Sequence, residues 1–273
     1  MIQDPLLSRI IVGLWGIPLL LGSTYIGGIP FVLLIVAVSI TGLKEYYHIQ
    51  DAVGRKTVKV LGNAGAICIL IAWAYKPELL SYVLISTFLI IAISATLQGR
   101  THDDITATFT GLIYIPLFAG AMIYLRNTGS TELLDIGNGY QLMGCVWGTV
   151  WVCDTSAYAF GRAIGKHPLA PKLSPKKTVE GFVAGFIGAV IFIFVCWKFG
   201  IVATDIAVVT GVSIGLVGQL GDLVESSLKR TAGIKDAGTI LPGHGGVLDR
   251  FDSLLMSAPI IALYIAISSY FNY

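Results

Sequence analysis

The chain has 273 residues, of which 55% are hydrophobic and 12% are charged, and its mean hydropathy is +0.79. Because soluble domains carry about 25% charged residues, this composition excludes an ordinary soluble protein and predicts an all-α, polytopic integral membrane protein. The net charge of +2 leaves no large basic face, so nucleic acid is not an expected partner. The four cysteines lie in apolar segments without CxxC or zinc spacing, so no disulfide or zinc role is expected.

Nine segments are candidate membrane-spanning helices, since a span needs roughly 20 mostly apolar residues. Their runs are continuous rather than alternating, which favours helices over strands. The first follows Arg9 and is predicted to be an uncleaved helix, because apolar sequence resumes almost at once. We expect one integrated membrane domain, with about five helices in 1–137 and about four catalytic helices with cytoplasmic loops in 138–273. The segments are about 10–27, 30–48, 58–75, 79–97, 105–125, 139–163, 178–199, 203–227 and 251–271.

The distribution of lysine and arginine predicts how the chain is oriented in the membrane. With the N-terminus in the cytoplasm, fifteen of the eighteen fall in inside segments, and only Lys76, Arg126 and Lys198 fall outside. Cytoplasmic loops of membrane proteins carry an excess of lysine and arginine over the loops on the opposite side. We therefore expect the cell inner (cytoplasmic) membrane, with the polar loops around residues 165–177 and 230–250 facing the cytoplasm.

The eighth segment ends in the polar sequence GLVGQLGDLVESSLKR. Gln219, Asp222, Ser226 and Lys229 are three or four residues apart and share one helical face, with Glu225 beside it. Ionisable groups in spanning helices are functional candidates, since each costs about 2.5–3.5 kcal/mol on insertion scales. The alternative is that the two acids merely end a helix at the interface. Small residues upstream predict close helix contact; they are Gly211, Gly215, Gly218 and Gly221.

The sixth segment carries an acid well inside an apolar run. This acid is Asp154. The spacings 4, 3 and 4 place it on one helical face with three aromatic residues, Trp147, Trp151 and Tyr158. Two interpretations stay open. Asp154 makes a structural hydrogen bond between helices, or it is an inward-facing carboxylate that contacts a metal, a substrate or a basic side chain.

The loop after this segment, GKHPLAPKLSPKKTVEG, is rich in lysine and proline. Ser174 and Pro175 are a typical N-cap and first-turn pair, so we expect the seventh helix to start there. The free N–H groups of a helix start, together with Lys177, predict a phosphate site. The alternative is ordinary basic charge beside anionic lipid.

The loop before the ninth segment contains LPGHGGVLDRFD. Glycines around His244 allow successive N–H groups to face an anion. Carboxylates beside such a turn suit a divalent cation that bridges phosphate oxygens, whereas His244 alone is a poor zinc site. The alternative is a capped surface loop. The bases of this region are Lys229, Arg230, Lys235 and Arg250.

These features predict a membrane site that opens to the cytoplasm. Asp222 and Asp249 would hold a divalent cation, with Asp252, in the ninth helix, as the second choice of the two acids in LPGHGGVLDRFD. Lysines and glycine N–H groups would hold phosphates. This chemistry predicts phosphoryl or nucleotidyl transfer to a lipid, in which the protein mainly positions groups and neutralises charge.

The segment from Ser226 to Asp252 resembles the signature of the CDP-diacylglycerol synthase (phosphatidate cytidylyltransferase) family. It reads Ser-x-Leu-Lys-Arg, four residues, Lys-Asp, a spacer, and Pro-x-His-Gly-Gly-x-x-Asp-Arg-x-Asp. The segment from Asp154 to Gly181 is similar to the family too, although Cys153 stands where a more polar residue is expected. The first five helices match only in being apolar.

The resemblance implies that CTP reacts with phosphatidic acid: a lipid phosphate oxygen attacks the α-phosphorus, pyrophosphate leaves and CDP-diacylglycerol forms. It also implies magnesium, with a second cation left open, and a homodimer. No strong general base is needed, because phosphatidate is already ionised near neutral pH.

On this interpretation we assign hypothetical roles to the candidate residues. Asp222 and Asp249 hold the metal, and Asp154 is a second metal ligand or orients a base. Lys177 and the Ser174 helix start hold the lipid phosphate or the leaving pyrophosphate. The triphosphate oxygens contact His244, Gly245, Gly246, Lys229, Arg230, Lys235 and Arg250.

Two alternatives remain for the function. A CTP-dependent kinase of a polyprenol or phytol would transfer the γ-phosphoryl group to an alcohol and would need a base near the hydroxyl. A cation-coupled transporter would use Asp154 and Asp222 as ion sites, but transporters usually show repeated halves, and no repeat is visible here.

Overall fold

The computed structural model describes residues 5–128, 138–234, 238 and 245–271. Within these ranges nine long helices coincide with the nine predicted segments, which confirms the all-α fold class. The helices are α1 Pro5–Ile26, α2 Gly28–Ala52, α3 Lys59–Tyr75, α4 Leu80–Leu97, α5 His102–Asn127, α6 Gly139–Ile164, α7 Val179–Lys198, α8 Thr204–Thr231 and α9 Leu248–Phe271.

Six of the described helices are long and apolar enough to cross a membrane, judged by length and composition. They are α2, α4 (with the preceding 3-10 turn Pro77–Leu79), α5, α7, α8 and α9. Their outward faces carry large apolar side chains, such as Leu33 in α2, Ile93 in α4 and Ile191 in α7, each more than half exposed. The chain is therefore an integral membrane protein, while nine spans and a cytoplasmic N-terminus stay predictions.

Two of the described helices contain a π segment. In α5 it covers Ile113–Leu117 and includes Pro116, which lacks the N–H for a regular helical bond. In α8 it covers Ser213–Gly218 and ends one residue before Gln219. Such segments are frequent at functional sites, and this one immediately precedes the polar face of α8.

A short hairpin replaces the predicted start of the seventh helix. Strand β1 (Pro168–Ala170) pairs antiparallel with β2 (Ser174–Thr178), and Ala170 faces Ser174 in the register. Helix α7 begins at Val179, with Thr178 as N-cap accepting the Gly181 N–H at 3.1 Å. The prediction of a helix start at Ser174 is wrong, because strand pairing takes residues 174–178 and the Thr178 hydroxyl provides an equally suitable cap.

The chain forms two compact units. Unit 1 comprises Met1–Ile123 and Leu228–Phe251, and unit 2 comprises Tyr124–Ser227 and Asp252–Tyr273. The predicted division at residue 137 stays a prediction. The core of unit 1 includes Phe31, Ile35 and Ile69, and that of unit 2 includes Trp147 and Ile193.

Candidate active site

Unit 2 brings three carboxylates together near the ends of two helices. Asp222 and Glu225 lie one turn apart in α8, Asp252 lies near the start of α9, and one oxygen of each lies within 4.8 Å of the others. Glu225 and Asp252 are 1% and 8% exposed, and Asp222 is half-buried. Carboxylates this close repel one another unless a proton or cation lies among them. Oxygen ligands suit a hard divalent cation, so this acidic group fits a metal site.

Glycines allow α8 to approach the start of α9 closely. A Cβ on Gly221 would lie 2.7 Å from the Asp252 carbonyl oxygen and 2.9 Å from Met256 Cγ. On another face of α8, a Cβ on Gly215 would lie 2.7 Å from a ring carbon of Phe186 in the preceding helix, α7. The predicted close helix contact is confirmed, and it brings Asp222 and Asp252 together.

Not every residue of the predicted polar face of α8 belongs to the acidic group. The Ser226 hydroxyl donates to Asp222 at 3.4 Å and supports it. The Gln219 amide instead donates to the Phe182 carbonyl oxygen at 3.0 Å, so it joins α8 to α7. Gln219 therefore contributes to helix packing.

A lysine of the hairpin lies against the acidic group. Lys177, in β2, forms an ion pair with the Asp222 carboxylate, and both side chains are half-buried. The hairpin presents this ammonium because Thr178, the next residue, is fixed as the cap of α7. Ser174, at the other end of β2, is placed by strand pairing rather than by a helix start. The structure thus joins Lys177 to Asp222.

Asp154 lies within electrostatic range of the same group. Its charge and that of Lys177 both act on Asp252, after the larger effect of Asp222. Its side chain is exposed on α6, as are Trp151 and Tyr158, whereas Trp147 is buried at 2% exposure. The predicted face of α6 is thus largely a surface of the chain, and the role of Asp154 stays a prediction.

Unit 1 contains the turn before α9. The Asp249 carboxylate accepts the Gly246 N–H at 2.8 Å and forms an ion pair with Lys229. Both ionic side chains are only about a tenth exposed. Gly245 has φ +84°, a left-handed conformation that favours glycine. Asp249 is thus held by its own turn and by a lysine, and the prediction that it shares a cation with Asp222 stays a prediction.

Of the remaining predicted phosphate ligands, the structure describes the two arginines. Arg230 and Arg250 are exposed at the end of α8 and the start of α9. Arg230 donates weakly to the Ile234 carbonyl oxygen at 3.5 Å. Lys235 and His244 lie outside the described residues.

One buried acid at this turn was not predicted from the sequence. Glu45, in α2 of unit 1, is 3% exposed and accepts the N–H groups of Val247 at 3.0 Å and Leu248 at 2.8 Å. Glu225, a member of the acidic group, is likewise absent from the predicted ligands. The sequence does mark Glu45 and Glu225 in one way. Each is an ionisable residue within a predicted spanning segment, and such residues are functional candidates.

The chain is similar to known proteins over nearly its whole length. The family model described as "Cytidylyltransferase family" matches residues 7–268. The phosphatidate cytidylyltransferase of Bacillus subtilis is 32% identical over 281 aligned positions, which cover 96% of this chain and 98% of that protein.

Two proteins of that same name from staphylococci are similar as well. The one from Staphylococcus haemolyticus is 34% identical over 93% of this chain and 95% of its own length. The one from Staphylococcus saprophyticus is 33% identical over 86% and 89%. The matched region contains the acidic group, Lys177 and the turn at Asp249, and the chain belongs to the cytidylyltransferase family of nucleotidyltransferase enzymes.

Proposed function

We propose that this protein joins CTP and phosphatidic acid to form CDP-diacylglycerol and pyrophosphate. One observation carries the proposal: an acidic group of Asp222, Glu225 and Asp252, with Lys177 beside it, lies at the ends of apolar helices. Relatives that bear the name of this activity align with nearly the whole chain, which supports the same conclusion.

The proposed reaction needs positioning and charge neutralisation rather than a strong base. A phosphatidate oxygen attacks the α-phosphorus of CTP, a new P–O bond forms, and the bond from that phosphorus to the bridging oxygen of the β-phosphate breaks. A phosphomonoester has its second pKa near about 6, so the attacking oxygen is already ionised at neutral pH. The protein's task is then to hold two anionic substrates together against their repulsion.

We propose magnesium as the cation, with a second cation left open. Asp222 and Asp252 would hold it, together with Asp249 as predicted from sequence, and Glu225 lies beside the first two. When bound, magnesium neutralises charge on phosphate oxygens.

Basic groups would hold the phosphates. Lys177 contacts Asp222, so a phosphate bound to its ammonium would lie beside the acidic group, and we assign it to the lipid phosphate or the pyrophosphate. We assign triphosphate contacts to Lys229, Arg230, Lys235, Arg250, His244, Gly245 and Gly246. In the structure the Gly246 N–H is donated to Asp249, so this amide would contact a phosphate only after exchanging its partner. Asp154 would orient a base or serve as a further ligand.

The setting of the reaction is part of the proposal. We place the protein in the cytoplasmic membrane with its site facing the cytoplasm, because fifteen of eighteen lysines and arginines fall on that side of the predicted topology. We also propose a homodimer, as the family resemblance implies.

Purified protein in detergent, given phosphatidate together with a prenol, magnesium and CTP labelled on either the α- or the γ-phosphate, tests the function. We expect α-label in a lipid product and γ-label in pyrophosphate, released in equal amounts. Transfer of γ-label to a prenol, with no α-labelled lipid, would show a kinase instead. Absence of any CTP-dependent lipid product would refute the proposal.

A further inference from the structure

Glu45 occupies an unusual position for an acid of an apolar helix. It lies in α2, its side chain is buried, and its two carboxylate oxygens accept the N–H groups of consecutive residues, Val247 and Leu248. These amides stand at the start of α9, where the first N–H groups of a helix lack partners within the helix. Glu45 therefore caps a helix that begins 203 positions later in the chain.

The turn before α9 is shaped around this carboxylate. A Cβ on Gly246 would lie 2.6 Å from Glu45 Oε2 and 2.9 Å from its carboxyl carbon. A Cβ on Gly238 would overlap the same carboxylate. Two glycines thus pack on Glu45, and neither position can take a larger residue unless Glu45 moves.

The same turn also fixes the orientation of the Asp249 side chain. The Gly246 N–H donates a hydrogen bond to Asp249 Oδ2 at 2.8 Å. The next two N–H groups, of Val247 and Leu248, donate to the Glu45 carboxylate. Three successive amides are therefore divided between the two carboxylates. If Glu45 releases its two amides, the backbone that also bonds Asp249 is no longer fixed.

The electrostatics favour a carboxylate at this position. A negative group at a helix N-terminus interacts favourably with the partial positive charge there, and hydrogen bonds to an ionised acceptor are about twice as strong as neutral ones. A buried carboxylate without such donors would be costly. Glu45 and the turn therefore hold each other in one arrangement.

We propose that Glu45 is a positioning residue, which fixes the turn from Gly245 to Leu248 and through it the direction in which α9 presents Asp249. The inference rests on the proposed function, in which Asp249 serves the nucleotidyl transfer. It gives the N-terminal helices a specific part in the reaction, since α2 supplies the contact.

The test compares Glu45→Gln with Asp51→Asn. Glutamine keeps the volume of Glu45 but replaces one acceptor oxygen with an NH2 group that would face an amide donor. Asp51 lies in the same helix, is exposed and pairs with Lys59, so its variant removes a like charge without touching the turn. For Glu45→Gln we expect the magnesium concentration for half-maximal activity to rise by about 10- to 100-fold, as for groups that orient metal ligands. KM for phosphatidate should stay within about twofold, and Asp51→Asn should behave as the unmodified protein.

A double-mutant comparison separates positioning from general stability. If Glu45 acts through Asp249, adding Glu45→Gln to Asp249→Asn should cost little beyond Asp249→Asn alone, because the two changes remove one shared contribution. Fully multiplicative losses would overturn the proposal, as would an unchanged magnesium dependence in Glu45→Gln. If that variant does not fold, Gly246→Ala perturbs the same contact from the other side and should raise the magnesium requirement in the same way.

A second readout does not depend on activity. Hydrogen exchange in peptides covering residues 245–251 should be at least about tenfold faster in Glu45→Gln than in the unmodified protein, and unchanged in Asp51→Asn. Unchanged exchange would overturn the role of Glu45. If the unmodified protein formed no CDP-lipid, the proposed function would fail, whereas this exchange comparison would still decide whether Glu45 fixes the turn.

Discussion

At the residue scale, each of the two acids predicted as principal metal ligands contacts a lysine of its own unit. Asp222 pairs with Lys177, and Asp249 pairs with Lys229. Replacing either partner of a partly buried pair leaves the other uncompensated, which costs more than an exposed pair would. We therefore expect these four positions to be sensitive to substitution.

For Asp222→Asn we expect kcat to fall by about 100-fold or more, because a neutral amide neither binds a cation strongly nor balances Lys177. CDP-lipid formation at saturating CTP measures the change. The matched control is Asp205→Asn in the same helix, where an exposed carboxylate accepts a hydrogen bond from Tyr264 at 2.8 Å. Activity of Asp222→Asn within threefold of the control would remove Asp222 from the site.

Two neighbouring lysines of β2 provide a second comparison. Lys177 faces Asp222, whereas Lys176 is exposed. We expect Lys177→Gln to reduce kcat/KM for phosphatidate by about 100-fold, because it removes a charge that a phosphate would contact. Lys176→Gln should change kcat/KM by no more than about twofold. Equal effects of the two substitutions would indicate a general attraction to anionic lipid instead.

At the scale of elements, the packing of α8 on α9 sets the spacing of the acidic group. We expect Gly221→Ala to lower the free energy of unfolding by about 1–3 kcal/mol, because its Cβ would press on the Asp252 carbonyl oxygen and on Met256. The control is Gly144→Ala in α6, where a Cβ meets nothing within 4 Å and alanine favours a helix. Thermal unfolding in detergent measures both, and a Gly221→Ala protein as stable as the control would contradict the packing argument.

The positions of the helices could be predicted from the sequence, whereas several contacts between elements could not. Continuous apolar runs placed the helices to within a few residues: α3 was expected at 58–75 and covers Lys59–Tyr75. The start of α7 was misplaced because both Ser174 and Thr178 are good caps, and the choice between them depends on pairing with residues 168–170. The three-residue spacing of Asp222 and Glu225 predicted that they lie close together on one helix. That both face Asp252 depends on how α8 is rotated about its axis, which glycine contacts between helices determine. Glu45 was missed because its partners lie far away in the chain.

At the scale of the whole molecule, the charge distribution predicts which loops face which side of the membrane. In a cysteine-free background, we expect Lys76→Cys and Lys198→Cys to react with an impermeant maleimide in intact cells. Lys56→Cys and Lys172→Cys should react only after the membrane is disrupted, since the predicted topology puts them inside. All four side chains are exposed in the structure, so accessibility reports the side of the membrane. The reverse labelling pattern would invert the topology.

The contact between Glu45 and the start of α9 also bears on biosynthesis. The chain is made from its N-terminus, so α2 enters the membrane roughly 200 residues before the amides of Val247 and Leu248 exist. Until then its acid lacks these two donors, and unit 1, which includes Leu228–Phe251, lacks a segment. Arrest of translation before residue 247 would thus leave a carboxylate in an apolar helix without these two donors, which is costly where the carboxylate is shielded from water. The start of α9 thus completes a unit whose other helices are made much earlier.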